Sequence, residues 1–461
     1  MELKPYGEGA IRRFFTRRRR CAAAALVAAI ALPVLSVRAQ AAAAPSGEHT
    51  LSQAAQVSRG CVRQNAEVEQ AVDPSRQYVY EEWMGCGGIG FARSSDGGHH
   101  FDPPMVLPSS ADHQGLGWDP AITVGPRGTV YAAFMISRGP FTFPVVAASF
   151  DHGATFAQVT SLTPPVTHNW GDRDFIAAAP DGTLYVTWDY GPSAAVVTYL
   201  CTPGGSCAFA TGDLNVVMQK STDGGRTWGP IVPVSPGFPA SGGDSGPLVV
   251  EPNGRVDVLY QGYQITNPIT FTMNPAHSYF TSSTDGGSTW SPPVLVGADR
   301  PQLTMSLAEW WIDGALGVDS AGNLYATWDT QSPGADSGWL SYSTDHGSHW
   351  SDMVPVTNDH DTAAHIVQVA GGAGGVAYVG WLTDSSARGW AQYLRPFSVS
   401  RGWLAPAVRV SGDDHGRAAV WPGDTFGLST TPAGAVVVSW GSAVRSPRSA
   451  IFASVVRFDT R

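Results

Sequence analysis

One eight-residue motif returns five times along this chain of 461 residues, and that recurrence limits the fold more than any other feature. It reads SSDGGHHF from Ser94 to Phe101, SFDHGATF from Ser149 to Phe156, STDGGRTW from Ser221 to Trp228, STDGGSTW from Ser283 to Trp290 and STDHGSHW from Ser343 to Trp350. A hydroxyl residue is followed two places on by an Asp, two further by a Gly, and the eighth place is aromatic. As a turn this makes physical sense: Gly225 and its equivalents suit positive φ, the carboxylate accepts backbone N–H groups, and an aromatic such as Trp228 packs between strands. Copies spread along a repeating chain do not form one catalytic centre, so Asp96, Asp151, Asp223, Asp285 and Asp345 read as structural.

The motif belongs to a longer unit of roughly 50 to 70 residues. Blocks such as DPAITVGPRGTVYAAFM, DRDFIAAAPDGTLYVTWDY and WIDGALGVDSAGNLYATWDT each give an apolar strand, a Gly-containing turn and a second strand. A third strand, the motif and a fourth strand such as GPIVPVSP follow. Repeated four-stranded antiparallel units predict an all-β propeller. Seven units begin near Cys61, Trp118, Asp172, Asp244, Trp311, Ala364 and Asp424, with a six-bladed ring as the alternative. The sixth motif is reduced to SVSRGW, and the seventh unit lacks a fourth strand. TLSQAAQVSRG, Thr50 to Gly60, supplies a strand of the missing kind, so the N-terminal segment is expected to close the last blade and cover its edge.

Composition agrees with this reading: 53 Gly, 34 Pro and 16 Trp with 14% charged residues describe a turn-dense, aromatic-rich chain. Residues 1–39 read as an export signal, with Arg12, Arg13 and Arg17 to Arg20 before the apolar run Cys21 to Leu35 and a small-residue site at Val37-Arg38-Ala39. Residues 40–47 then form a linker and 48–461 one propeller domain, in a secreted or periplasmic protein without an integral membrane span after cleavage. Residues 1–39 hold eight of the 28 Lys and Arg and two of the 38 Asp and Glu, leaving 20 against 36, a formal charge of −16. So acidic a chain is a poor partner for nucleic acid. Cys61, Cys86, Cys201 and Cys207 remain, and Cys61–Cys86 with Cys201–Cys207 is the simplest of three pairings.

The form S-x-D-x-G-x-x-W/F within successive four-stranded units resembles the BNR or Asp-box repeat of the sialidase-like propellers, over about residues 48 to 459. That resemblance implies the propeller fold, in a group that includes glycosidases, glycan-binding modules and non-enzymatic assembly factors. Sialidases would bring three arginines for the substrate carboxylate, a Tyr nucleophile with its Glu, and an Asp acid/base. The chain departs from that pattern: no Arg-Ile-Pro motif occurs in the first unit, and Arg63 in CVRQN does not match it.

Strand order places the repeated motif on the underside of the ring and the loops entering each first strand on top. Asp119, Asp172, Asp174, Asp244, Asp313 and Asp424 fall at these entries, as do Trp118, Trp170, Trp310, Trp311 and Trp421. Crowded carboxylates raise one another's pKa and can divide acid and base roles, while flat rings stack on sugars. The densest polar segment is THNWGDRDF; along an extended strand Arg173 points opposite to Asp172 and Asp174, toward a neighbouring blade. A second cluster holds Arg300, Glu309 and Asp313. The expected chemistry is glycan binding on the top face by Trp118, Asp119, Trp170, Arg173, Asp244, Arg300, Trp310, Trp311 and Asp424. Hydrolysis would be carried by Asp172 or Asp174 opposite Glu309 or Asp313. The alternative is a non-catalytic scaffold for a protein or cell-surface polymer. No cofactor is expected; a divalent metal would draw on His113, His168, His360, His365 or His415, which lack fixed ligand spacing. The protein is expected to be a monomer.

Overall fold

The structure, a computed structural model, describes residues 48–459 except 113–114, 139–140, 163–169, 192–197, 202–206, 212–214, 236–240, 245, 268–271, 274–276, 298–313, 331–336, 358–363, 384–390, 412–422 and 444–447. No described residue is helical, and no described helix is therefore long and apolar enough to cross a membrane. Seven antiparallel sheets of at least four strands form the blades. Their first strands begin at Ala66, Trp118, Trp170, Ser241, Ala315, His365 and Gly427. Each first strand contacts the next, and that of blade 7 contacts that of blade 1, so the ring closes with seven members and the six-bladed alternative does not apply.

Blade 7 takes its outer strand from the other end of the propeller. Ala450–Phe458 pairs with His49–Leu51, in register His49↔Phe458, and with Ala55–Gln56, in register Ala55↔Ala453. The edge is thus paired. A disulfide joins Cys61 to Cys86 with Cα atoms 4.7 Å apart, fastening the segment that enters blade 1 to the turn between its second and third strands. Cys201 and Cys207 stand opposite each other in the backbone register of a separate two-stranded hairpin in blade 3.

The core repeats as the strands do. Counted from Val79, Val130, Leu184, Val256, Leu324, Ala377 and Val436, the fifth residue of every second strand is aromatic: Trp83, Phe134, Trp188, Tyr260, Trp328, Trp381 and Trp440. All are at most 3% exposed. Alternation on a strand sends this place and the first and third to set faces of the sheet, where neighbouring blades meet. Truncating one such ring to Ala costs about 3–5 kcal/mol. The fourth residue links blades: Thr187 Oγ1 donates to Gly246 O of blade 4 at 2.6 Å, and Thr327 Oγ1 to Val367 O of blade 6 at 2.7 Å.

The five repeated turns share one hydrogen-bond pattern. In the blade 3 copy Ser221 Oγ donates to Asp223 Oδ1 at 2.8 Å and accepts from Gly225 N at 2.9 Å. Asp223 further accepts from Arg226 N, Thr227 N and Thr227 Oγ1 at 3.0, 2.9 and 2.6 Å. Gly225 sits at φ 80°, the left-handed region that a side chain would strain. The turns also serve as handles for the preceding blade. Arg93 reaches His152 O at 3.0 Å, Gln158 reaches Gly224 O at 2.9 Å, Lys220 reaches Gly286 O at 2.9 Å and Arg255 reaches His346 O at 2.6 Å. Four successive blade junctions are latched in this way. In the reduced sixth motif Ser400 replaces the Asp, and Arg395 lies 4.5 Å over the Trp403 ring.

Candidate functional site

The first strands converge on a central cavity of about 250 Å³ lined from every blade, by Glu69, Asp119, Arg173, Leu248, Ala315, Gln368 and Asp424 among others. Its wall is uneven. The charged residues come from blades 7, 1, 2 and 3, which are neighbours in the ring, whereas blades 4 and 5 contribute Pro247, Leu248 and Gly314 to Leu316. A purely structural ring would repeat its polar contacts seven times; a polar half facing an apolar half is how ligand sites are built.

A shared backbone irregularity shapes part of the polar half and recurs in blade 6. Glu67, Asp119, Arg173 and Ile366 occupy the same place, five residues before the end of the first strands of blades 1, 2, 3 and 6 as counted from Val72, Val124, Ala178 and Gly371, and have φ between 47 and 52°. A register shift accompanies each one. Such bulges re-aim side chains, and left-handed backbone at non-glycine residues costs about 1–3 kcal/mol each. Strict alternation therefore fails here. Arg173 does not point away from Asp174 into a neighbouring blade: both line the cavity, and the guanidinium reaches across to Asp424 of blade 7 at 3.6 Å.

The carboxyl groups form a chain through this region. Arg173 N–H donates to Asp119 Oδ2 at 2.8 Å, and Asp119 N–H serves the Glu67 carboxyl in the same relation one blade earlier. Trp118 Nε1 donates to Asp172 Oδ1 at 2.6 Å. The Asp119 and Asp172 carboxyls are neighbours. Burial, then the charges of Asp172, Glu67 and Asp424, push the Asp119 carboxyl well above the usual carboxylate range. Burial followed by the Asp424 charge raises Glu67 likewise, and burial raises Asp424 against the pull of Arg173. Asp174 is 2% exposed, neither of its oxygens has a hydrogen-bond partner among the described residues, and burial raises its carboxyl too.

Three further acids lie in blade 1 and, with Glu67, are not singled out by the sequence. Glu69 takes a hydrogen bond from Thr425 of blade 7, and burial lifts it to about 7. Glu81 accepts from Gln70 Nε2 at 2.6 Å and from Ser439 Oγ at 2.7 Å; burial outweighs both and lifts it to about 8. Glu82, 0% exposed with both oxygens unpartnered among the described residues, is raised by burial and by Asp174. Glu67 completes the set. A blade-by-blade alignment would have exposed the middle pair: where blade 1 has Glu81 and Glu82, the third and fourth places of the other second strands carry only Ala, Val, Thr, Leu, Gly or Ser.

Of the expected residues, Trp118, Asp119, Asp172, Arg173, Asp174 and Asp424 come together. Trp170 and Asp244 lie at strand ends, opposite Gly191 and Gln261 in backbone register. Arg300, Glu309, Trp310, Trp311, Asp313 and Trp421 fall outside the described residues, as do His113, His168, His360 and His415. His365 opens the first strand of blade 6.

No family model matches the chain. A sialidase of Micromonospora viridifaciens is 31% identical over 137 residues, 27% of this chain and 19% of that protein. The alignment thus spans about a fifth of that curated relative. Among solved structures, a protein of unknown function from Dyadobacter fermentans superposes with a TM-score of 0.52 at 13% identity, over 89% of this chain and 99% of its own. An ulvan lyase of polysaccharide lyase family PL25 gives 0.54 at 11% identity, over 86% and 95%. An α-L-arabinofuranosidase from Fusarium graminearum gives 0.50 at 13% identity, over 88% and 98%. At such identities the likeness is one of fold.

Proposed function

We propose that this chain is an exported propeller, residues 1–39 being its signal and 48–461 its single domain, that binds a glycan in the central cavity and hydrolyses a glycosidic bond there. The observation that carries this reading is the neighbouring carboxyls Asp119 and Asp172, linked to Arg173 N–H and the Trp118 indole respectively, at a half-polar, half-apolar cavity. Glycoside hydrolysis needs one protonated carboxyl to deliver a proton to the leaving oxygen and one carboxylate to activate water or stabilise positive charge at the anomeric carbon. Asp119 is suited to the first role and Asp172, oriented by the Trp118 indole, to the second. Arg173 spans the mouth to Asp424 and holds the two sides in register. That the similar proteins include a sialidase, an arabinofuranosidase and an ulvan lyase adds support of a general kind.

The test is turnover of a glycan panel by the wild-type chain and by Asp172→Asn. Loss of a general acid or base lowers the rate by about 10²–10⁴-fold. The expected result is a loss of that size with unchanged melting. Glycan binding without turnover in the wild type would instead establish the scaffold role, and equal turnover by Asp172→Asn would remove Asp172 from the mechanism.

A further inference from the structure

Resting on that reading, we infer that the ligand of the central cavity is cationic: a glycan segment with a free amino group, acidic sugars being excluded. Glu69, Asp119, Asp174 and Asp424 line the cavity against Arg173 as the one cation among its described lining residues, and that guanidinium already faces Asp424 at 3.6 Å. The second, independent sign is Asp174. It is 2% exposed, borders the cavity, and has no hydrogen bond to either oxygen among the described residues; Glu82 behind it is in the same condition. A buried carboxyl without donors is destabilising unless a partner arrives, and a charged partner compensates more than a neutral one.

An ammonium brings a positive charge and three donors, whereas a sugar hydroxyl brings one donor and no charge. A uronate or sialate would set its carboxylate against these carboxyls, which offer it no donor once ionised, and the one arginine among the described lining residues already faces Asp424. The apolar half, with Leu248 and Leu316, suits the face of a sugar ring. A metal ion is the poorer complement, since no three His, Cys, Asp or Glu side chains among the described residues are placed to ligate one. Because burial raises the Asp174 carboxyl, an ammonium seated beside it would favour its charged form and release a proton into the buffer.

Calorimetric titration of the chain in EDTA, with a glucosamine oligomer, its N-acetylated counterpart and an oligogalacturonate of equal length, tests this directly. The glucosamine oligomer should bind at least about tenfold more tightly than the acetylated one, as for a charge-assisted contact. Its heat should vary with buffer ionisation enthalpy in the sense of proton release, and the oligogalacturonate should not bind. Asp174→Asn, and independently Glu82→Gln should the first not fold, should narrow the preference toward unity. Equal or tighter binding of the acetylated or acidic oligomer, or binding that requires a divalent metal, overturns the inference while leaving glycan binding intact. Binding of none of the three, together with no turnover on the wider panel, overturns the proposed function as well.

Discussion

The two faces of the ring use the same side chain in opposite ways. On the underside Asp151 and Asp223 each accept several hydrogen bonds within their turns. Bonds from Thr155 bring Asp151 down to about 2, and bonds from Thr227 lower Asp223 further. In the channel Asp174 accepts none from another described residue and burial drives its carboxyl up. Residue type does not separate the two roles; burial, together with the number of donors delivered to the carboxylate, does. A satisfied carboxylate holds the fold, and an unsatisfied one is available to a ligand.

The sharpest way to break this contrast is pH. Glu81 titrates at about 8 in the fold against an ordinary 4.5, and Glu69 at about 7. Below pH 4.5 both groups are protonated folded or unfolded and their contribution is complete. As pH rises toward 8 the unfolded chain releases these protons and the fold does not, so stability falls, by about 1.4 kcal/mol per pH unit for each such group. Urea unfolding at pH 5 and 7.5 should show the loss, and Glu81→Gln should flatten it; a profile identical to wild type would mean that Glu81 is ionised in the fold. The depressed underside groups act in the other direction, losing their contribution only as pH drops below about 4.

A smaller effect is expected from Ser221→Ala, which removes the hydroxyl linking Asp223 to Gly225 N. Such a buried link is worth about 1–2 kcal/mol. The urea midpoint should drop accordingly with turnover unaltered, and a loss of turnover at unchanged stability would give the underside a functional part. Smallest of all is Asp174→Asn, which removes a buried unpaired carboxyl with little change of shape. Its unfolding free energy at pH 7.5 should stay within about 0.5 kcal/mol of wild type or rise. A fall beyond that would show that Asp174 supports the fold as the underside residues do.

Much of the architecture was legible because each blade repeats the same solution. The five turns, the two-strand blocks and the unfilled edge of blade 7 led to seven blades closed by the N-terminal segment, and the buried aromatics from Trp83 to Trp440 were there to be aligned. The site was legible only in part. Asp119, Asp172 and Asp424 stood out as acids at strand entries, but Arg173 was misdirected because a bulge with a left-handed Arg carries no glycine to announce it. Glu81 and Glu82 escaped notice because, as adjacent residues, they lie on opposite faces of their strand and form no motif in an isolated strand. They are 0% exposed because neighbouring blades cover both faces, blade 7 bringing Ser439 Oγ to Glu81 and blade 2 packing against the same strand.

The closure of blade 7 bears on how the molecule comes apart and together. Val455 N donates to Ser52 Oγ across 403 residues of sequence. Loop-closure entropy grows only as the logarithm of length, so the contact is not prohibitive at equilibrium, yet it has to wait for nearly the whole domain to be present. Ring completion is accordingly a late step in folding. Once made, it leaves no terminal blade with an unpaired edge, so the two ends of the domain hold each other in place.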